Sequence, residues 1–524
     1  MENKNVIAMY DVRGIQDYIF RTPKLKHAIG ASAIVESIIE DALKDAVNRY
    51  NDKSISYDLS WEQIEYKGQD KDIQVLYIGG GNAVVLFKDK ELYLAITKLM
   101  SKYVLENTYS LQLAATCVDK TDIYQDDYRR LNKKMTEVKA DMPESKPVGA
   151  FPIMQMELST GLPVNNDDQS REVELKLIAE KKRRKNTKTE AKIFDNIIEE
   201  KGNDSNIAVV HIDGNNMGLR IRELLENGST NDIGNYDKNS YVDAVKLMRK
   251  ISYNINHSYK DTFNEMMEIF NKNKDYLIIP VLIAGDDITY VCKAKAALAS
   301  IEYFVEHIKG KTMTGNSDDV DKYGFSVCGG IAYIHSHFPF SIAYQVAEAC
   351  CESAKDRAKA NLKGNNMVGN FFDFQFCKNV QTLDMDTIRQ NQYITSSNEN
   401  LLCRPYEIGG DDNLYYSYNR LKKYLDAFIP LSENKDNGQK DKKLPRTHAK
   451  KLRNVYSLGY NQVDSFVRFL ASRKWIFPDG DLEAYVLENN KKIAKYYDAL
   501  ELMDVYEPLN LVINAKGEEL NEEL

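Results

Sequence analysis

The chain has 524 residues, a formal net charge of −8 and 43% apolar residues. That length predicts about three to four domains, and the acidic balance argues against a free-standing nucleic-acid binder, which usually carries a basic footprint. No CxxC spacing among the seven cysteines signals a zinc ribbon or a disulfide framework. No apolar run is long enough to cross a bilayer, and the N-terminus lacks the basic-then-apolar order of a signal peptide, so a reduced, cytoplasmic setting is expected.

Residues 1–160 read as a first α/β unit. Val6 to Asp11 is an apolar strand ending in an acid, followed by Gly14-Ile-Gln-Asp-Tyr-Ile-Phe20 and a helical run from Gly30 through Leu43. Gln74 to Phe87 is a strand–turn–strand around Gly79-Gly80-Gly81-Asn82. A helical stretch, Leu92 to Leu105, and a strand, Leu111 to Val118, complete the unit. Residues 161–205 read as a charged linker or insert holding the strongest basic run, Lys181 to Lys185. Such a run is usually a solvated face; the alternative is contact with a nucleic-acid backbone.

Residues 206–378 form a second α/β unit with the same order of elements. Ile207 to Asp213 is a bounded apolar run, which reads as a buried strand. A helical crossover follows from Tyr241 to Ile269, and Leu277 to Cys292 reads as a hairpin around Gly285-Asp286-Asp287. Asp11 aligns with Asp213, and Gly79 to Asn82 with Ala284 to Asp287, so the hairpin carboxylates are confined to the second copy. Tyr323 to Ile334 reads as a strand with a glycine pair where something approaches closely. His335 and His337 flank its end, either as a metal pair or as the approach to the next helix, Ser341 to Ala360, which carries Glu348, Lys355, Arg357 and Lys359.

Alone, Gly-Asp-Asp reads as an ordinary surface turn. Joined to Asp213 at a second strand end, it gathers like charges that need either a cation or raised pKa values. Mg²⁺ prefers carboxylate oxygens together with substrate phosphates, and two such ions roughly 3.5–4 Å apart stabilise the attacking and leaving oxygens of a phosphoryl displacement. Gly285 permits the sharp turn and the approach of a phosphate. A lysine on the Ser341–Ala360 helix would reach a triphosphate as a point charge.

Residues 379–524 carry helical spacing over Leu414–Phe428, His448–Leu470 and Leu482–Leu502, and read as a helical domain. Gly409-Gly410-Asp411-Asp412 within it lacks flanking apolar strands and reads as a loop and helix N-cap.

These features together resemble the large polymerase-like subunit of type III CRISPR effector complexes. The resemblance is carried by Gly14–Phe20 and Gly30-Ala-Ser32 in the first unit, and by Asp213-Gly-Asn-Asn-Met-Gly218, Ala284-Gly-Asp-Asp287 and His337-Phe-Pro339 in the second. It implies an α+β fold of two tandem ferredoxin-like palm domains, related to nucleotidyl cyclases and GGDEF enzymes, plus a C-terminal helical domain. The sequence departs from the family in carrying Ala284 where Gly is usual, and in lacking both an N-terminal His-Asp nuclease domain and zinc-binding cysteines, so DNA cleavage by that domain is not expected.

The resemblance further implies that the second palm converts ATP into a signalling nucleotide, a cyclic oligoadenylate or a related AMP adduct, when the complex binds target RNA. Asp213, Asp286 and Asp287 would be catalytic and, with Ile212, would hold two Mg²⁺ or Mn²⁺ ions. Gly285, Asn216 and Lys355 would contact the nucleotide. Implied partners are the other subunits of the complex and, through them, guide and target RNA, with no membrane. Two alternatives stand beside this reading: a non-catalytic scaffold subunit, and a free-standing nucleotide cyclase of another defence pathway.

Overall fold

The computed structural model describes residues 5–50, 54–62, 64–79, 81–142, 153–186, 197, 206–227, 236–362, 368–377, 384–429, 444–475 and 477–515. The first unit runs β1 (Val6–Arg13), α1 (Ile15–Phe20), α2 (Leu25–Arg49), β2 (Tyr57–Asp58), β3 (Ile73–Gly79), β4 (Asn82–Phe87), α3 (Lys90–Thr108), β5 (Gln112–Asp119) and α4 (Tyr124–Asp141). Its sheet has the order β2-β3-β4-β1-β5. The central strand β1 is buried at every position except Asp11 and Arg13, which is why it reads as a near-continuous apolar run. Asp89 caps α3 by accepting a hydrogen bond from Leu92 N at 2.8 Å.

A small hairpin, β6 (Val164–Asn166) and β7 (Gln169–Ser170), leads into α5 (Arg171–Asn186). Of the range read as a charged linker or insert, the described part is thus largely helical, and α5 packs along α2 of the first unit; residues 187–196 and 198–205 lie outside the described residues. The contact is close: a Cβ at Gly30 would lie 1.8 Å from Lys176 O, which explains the Gly30-Ala-Ser32 stretch. Lys176 is fully buried, pairs with Glu172 at 2.7 Å and donates to Tyr18 O at 2.6 Å. A buried, internally paired Lys–Glu couple has the composition of a solvated segment, so the sequence pattern hides it. The basic run Lys181–Lys185 forms the last turns of α5, where Lys181, Lys182 and Lys185 are exposed.

The second unit runs β8 (Asn206–Gly214), α6 (Met217–Asn227), α7 (Tyr241–Phe270), β9 (Ile278–Ala284), β10 (Asp287–Lys293), α8 (Ala297–Ile308), a single turn α9 (Val320–Tyr323), β11 (Val327–His335), α10 (Phe340–Ala360) and β12 (Asn370–Phe376). Within the order β12-β11-β8-β10-β9, strands β9, β10, β8 and β11 repeat β3, β4, β1 and β5. The repeat extends to register. Asp11 pairs with Asn82 across β1–β4, and one step beyond the Ile212–Ile288 pair of β8–β10 stands Asp213 opposite Asp287. Strands β11 and β12 are parallel, so they need the α10 crossover. The Gly329-Gly330 pair admits it: a Cβ at Gly330 would lie 1.9 Å from Ala347 O of α10.

The two units pack reciprocally, α7 of the second against β3 of the first and α2 of the first against β9 of the second. Arg249 of α7 is buried and donates to the backbone carbonyls of Leu76, Val75, Glu65 and Ser60. Phe20 of α1 stacks on Tyr344 of α10, ring centroids 3.4 Å apart. The chain after the second unit continues through α11 (Met385–Tyr393), β13 (Tyr406–Ile408), α12 (Tyr418–Phe428), α13 (Arg446–Tyr456), α14 (Tyr460–Ser472), β14 (Tyr485–Glu488), β15 (Lys491–Ala494), α15 (Tyr497–Leu502) and α16 (Leu509–Asn514). This mainly helical region lends β13 to the second sheet as an edge strand against β12. It is also held there by Arg404, fully buried and paired with Asp498 at 3.2 Å and Glu501 at 2.8 Å, with Asp373 of β12 at 3.7 Å. Gly409 to Asp412 is a loop, as expected, but not a helix N-cap: the cap position of α12 is Ser417.

Candidate active site

Alternation along β8 places His211 and Asp213 on one face and Ile212 on the other. The ladder to β10 brings Thr289 opposite His211 and Ile288 opposite Ile212, and continued by one more residue it sets Asp287 opposite Asp213. His211 Nδ1 lies 3.0 Å from Thr289 Oγ1 and 3.5 Å from Asp287 Oδ1. Gly285 turns the hairpin with φ +67°, a left-handed conformation that disfavours side chains. Asp286 then folds back onto Gly214, where a Cβ would come within 2.8 Å of Asp286 Oδ2. Gly214 is thus as necessary to the carboxylate cluster as the turn glycine.

Helix α10 closes this face. Tyr344, Glu348, Cys351 and Lys355 follow the i, i+4, i+7, i+11 spacing of one helical face. Lys355 Nζ lies 2.5 Å from Asp213 Oδ2. The Tyr344 ring meets His211 edge-on, and its hydroxyl donates to Glu348 Oε1 at 3.3 Å.

The electrostatics follow from crowding. Burial, and then the Asp213 charge, push the Asp286 carboxyl up to about 7. Asp287 is also held well above the usual carboxylate range, by burial and then by Asp213, Asp286 and Glu348. Burial pulls His211 down to about 4, so it is neutral at pH 7 and offers Asp287 no charge. Burial works against the Lys355 ammonium, but Asp213 outweighs it and the lysine is held charged. Oδ1 of Asp287 is buried without a hydrogen-bond partner among the described residues.

The chemistry of this donor set suits hard divalent cations: clustered carboxylate oxygens, one of them orphaned, with the Lys355 ammonium beside them. Among the described residues, no three His, Cys, Asp or Glu side chains are spaced so that they could hold a metal ion as they stand, so the match lies in the chemistry of the donors; the positive charge beside Asp213 is the Lys355 ammonium. The Ile212 side chain is buried, so a contact of this residue with a cation would run through its backbone carbonyl. Asn216 adopts φ +54° where α6 begins, its carbonyl accepting from Arg220 N. At Gly218, in the first turn of that helix, a Cβ would meet nothing within 4 Å, which leaves room over a helix N-terminus that favours phosphate.

Residues 206–363 match the family model of the Cas10/Cmr2 second palm domain. The matched range contains each of the site residues above. The fold of the whole chain is similar to that of the Csm1–Csm4 cassette in complex with cA4, with TM-score 0.53 and 14% identity over 96% of this chain and 70% of that chain. The cassette in complex with AMPPNP gives 0.52 and 14% over 96% and 69%. Csm1 of T. onnurineus gives 0.52 and 14% over 97% and 70%. No curated protein matches the chain. The architecture is therefore the expected α+β one, tandem palm domains followed by a mainly helical region.

The structure brings Asp213, Asp286, Asp287 and Lys355 together and sets Gly285 in the turn between the hairpin strands. His335 and His337, by contrast, stand at the end of β11 before α10, their ring centroids 5.6 Å apart. Sequence reasoning missed His211 and Gly214. Both are marked only indirectly, His211 by its alternation with Asp213 and Gly214 by its place after the acid.

Proposed function

We propose that the second palm is a nucleotidyltransferase that converts ATP into a signalling nucleotide, a cyclic oligoadenylate or a related AMP adduct. The observation that carries this reading is the register that sets Asp287 opposite Asp213 inside the range matched by the palm family model. The matched fold also occurs in cassettes complexed with cA4 and AMPPNP.

Asp213, Asp286 and Asp287, with the Ile212 carbonyl, would hold two Mg²⁺ or Mn²⁺ ions. When bound, such ions lower the pKa of an attacking hydroxyl and neutralise a leaving pyrophosphate. In the reaction a 3′-hydroxyl oxygen attacks the α-phosphorus of ATP. The bond from that phosphorus to the β,γ-diphosphate breaks, pyrophosphate departs and the hydroxyl proton is lost. The chain's own residues position these groups. Gly285 and Gly218 keep side chains out of the phosphate path, the Asn216 turn orients the α6 N-terminus, and Lys355 binds the triphosphate. Asp11 lacks the second acid such work needs: Asn82 stands at the register position of Asp287, and the charge of Asp11 is balanced by Lys139. The protein acts within a type III CRISPR effector complex, with guide and target RNA reaching it through partner subunits. The structural likeness to Csm1–Csm4 cassettes supports that placement.

The test is mass spectrometry of products formed from ATP and Mn²⁺, with the partner complex and target RNA added. An adenylate product that disappears in Asp286→Ala/Asp287→Ala supports the proposal. Equal product from that variant overturns it.

A further inference from the structure

We propose that Lys355 is a resident stand-in for a divalent cation, and that its departure from Asp213 couples metal loading to triphosphate binding. The inference rests on the metal-site reading above and deepens it by giving the lysine two alternating partners.

The first observation is positional. Lys355 Nζ lies 2.5 Å from Asp213 Oδ2, and among the described residues Asp213 is the hydrogen-bond partner of this ammonium. A divalent ion bound to the same carboxylate would bring a second positive charge into direct contact with the first. Like charges at such separation repel strongly in a partly desolvated site, so metal entry requires the lysine to move. Its four-carbon stem allows that movement, and its compact charge then needs another anion. A nucleoside triphosphate supplies one.

The second observation is the duplicated fold, which acts as an internal control. In the first palm, Lys139 of α4 pairs with Asp11 at 2.5 Å. Asp11 is the counterpart of Asp213, and α4 follows β5 as α10 follows β11. The register partner of Asp11 is Asn82, not an acid, so one positive charge meets one negative and the pair is balanced. In the second palm the same lysine–aspartate pair stands beside Asp286, Asp287 and Glu348, which leave a surplus of acid. The ion pair is permanent where the carboxylates are missing and exchangeable where they are present.

Linkage then requires that metal and nucleotide bind with positive coupling, because each removes the obstacle to the other. Part of that coupling belongs to Lys355 and disappears with it.

The experiment is a Mn²⁺ titration of the full chain, read by the EPR signal of free Mn²⁺, with and without a non-hydrolysable ATP analogue. Lys355→Gln and Lys355→Met are compared with wild type after circular dichroism confirms folding. Lys359→Gln controls for bulk charge, since Lys359 lies one turn on along α10 and pairs with Asp356 at 3.7 Å. Without nucleotide, the Lys355 variants are expected to bind Mn²⁺ at least about tenfold tighter than wild type, the low end of what a hydrogen bond to a charged group contributes. The gain in Mn²⁺ affinity on adding the analogue should shrink by a similar factor, while Lys359→Gln tracks wild type. Unchanged or weaker Mn²⁺ binding in both Lys355 variants, or equal tightening in Lys359→Gln, overturns the exchange while leaving the metal site standing. Absence of Mn²⁺ binding from every protein, even with the analogue, overturns the exchange and the metal-site reading together.

Discussion

Asp213 and Asp287 face each other across the β8–β10 ladder, one step past the Ile212–Ile288 pair. Opposed residues of an antiparallel pair have Cβ atoms about 4.5–5.5 Å apart, so two like charges meet where a sheet would otherwise place an attractive or apolar pair. This arrangement costs stability in the free protein. Asp287→Asn should therefore raise the melting temperature in divalent-free buffer, because a neutral amide does not repel Asp213 and can donate where the unpartnered carboxylate oxygen could not. The same variant should cut product formation to below about 1% of wild type, the loss expected when a metal-holding oxygen is withdrawn. A thermal melt and a product assay on one preparation check both halves.

The hairpin acids also set a pH dependence. Asp286 keeps its proton up to about 7 in the folded chain, whereas an unfolded aspartate releases it near pH 4. Between those values the native state binds more protons, so this contribution to stability falls as pH rises through the window. Thermal melts in a chelator across pH 5 to 8 should show the decline, and Asp286→Asn should flatten it. Cation binding must displace the same proton. Calorimetry of Mn²⁺ binding in buffers of different ionisation enthalpy should then detect proton release below about pH 7, and Mn²⁺ affinity should rise with pH.

Much of the site was legible in the residues themselves. The apolar runs ending at Asp213 and at Gly285-Asp286-Asp287 marked two neighbouring strands, and the first copy of the pattern marked the duplication. Lys355 was legible because the helix after the glycine-paired strand follows directly on the site strands. What escaped was of two kinds. His211 and Gly214 matter through a packing contact with a hairpin acid, and neither has a distinctive spacing. The α5 helix escaped because its interior is charged: Lys176 and Glu172 satisfy each other inside the core, where composition counts them as surface. Likewise, β13 joins the second sheet although only three residues, Tyr406–Ile408, form it, too few for an alternating pattern.

Gly330 is a second place where the site depends on an absent side chain. A Cβ there would lie 1.9 Å from Ala347 O, backbone of the helix that carries Glu348 and Lys355. Gly330→Ala must push α10 off the sheet. A loss of about 3 kcal/mol is expected, at the upper end of overpacking, and chemical denaturation measures it. The shift also moves Lys355 away from Asp213, so residual activity should fall more than the fraction of folded protein does.

Arg249 ties the two palms. Its guanidinium serves carbonyls of Ser60, Glu65, Val75 and Leu76 in the first palm from a helix of the second. Arg249→Met removes those bonds while keeping much of the aliphatic volume. The expected cost is about 1–3 kcal/mol, the penalty for buried polar groups left unpaired. Hydrogen exchange should show the loss concentrated in β3 and α7 rather than in the region after residue 384.

Anomalous scattering from crystals grown with Mn²⁺ and a non-hydrolysable ATP analogue tests the metal-bound nucleotide site most directly. Two peaks are expected among Asp213, Asp286, Asp287 and the Ile212 carbonyl, with the analogue's phosphates beside them and Lys355 turned from Asp213 toward the phosphates. Mn²⁺ density absent from this cluster, or lying instead at Asp11 and Asn82 of the first palm, would contradict it.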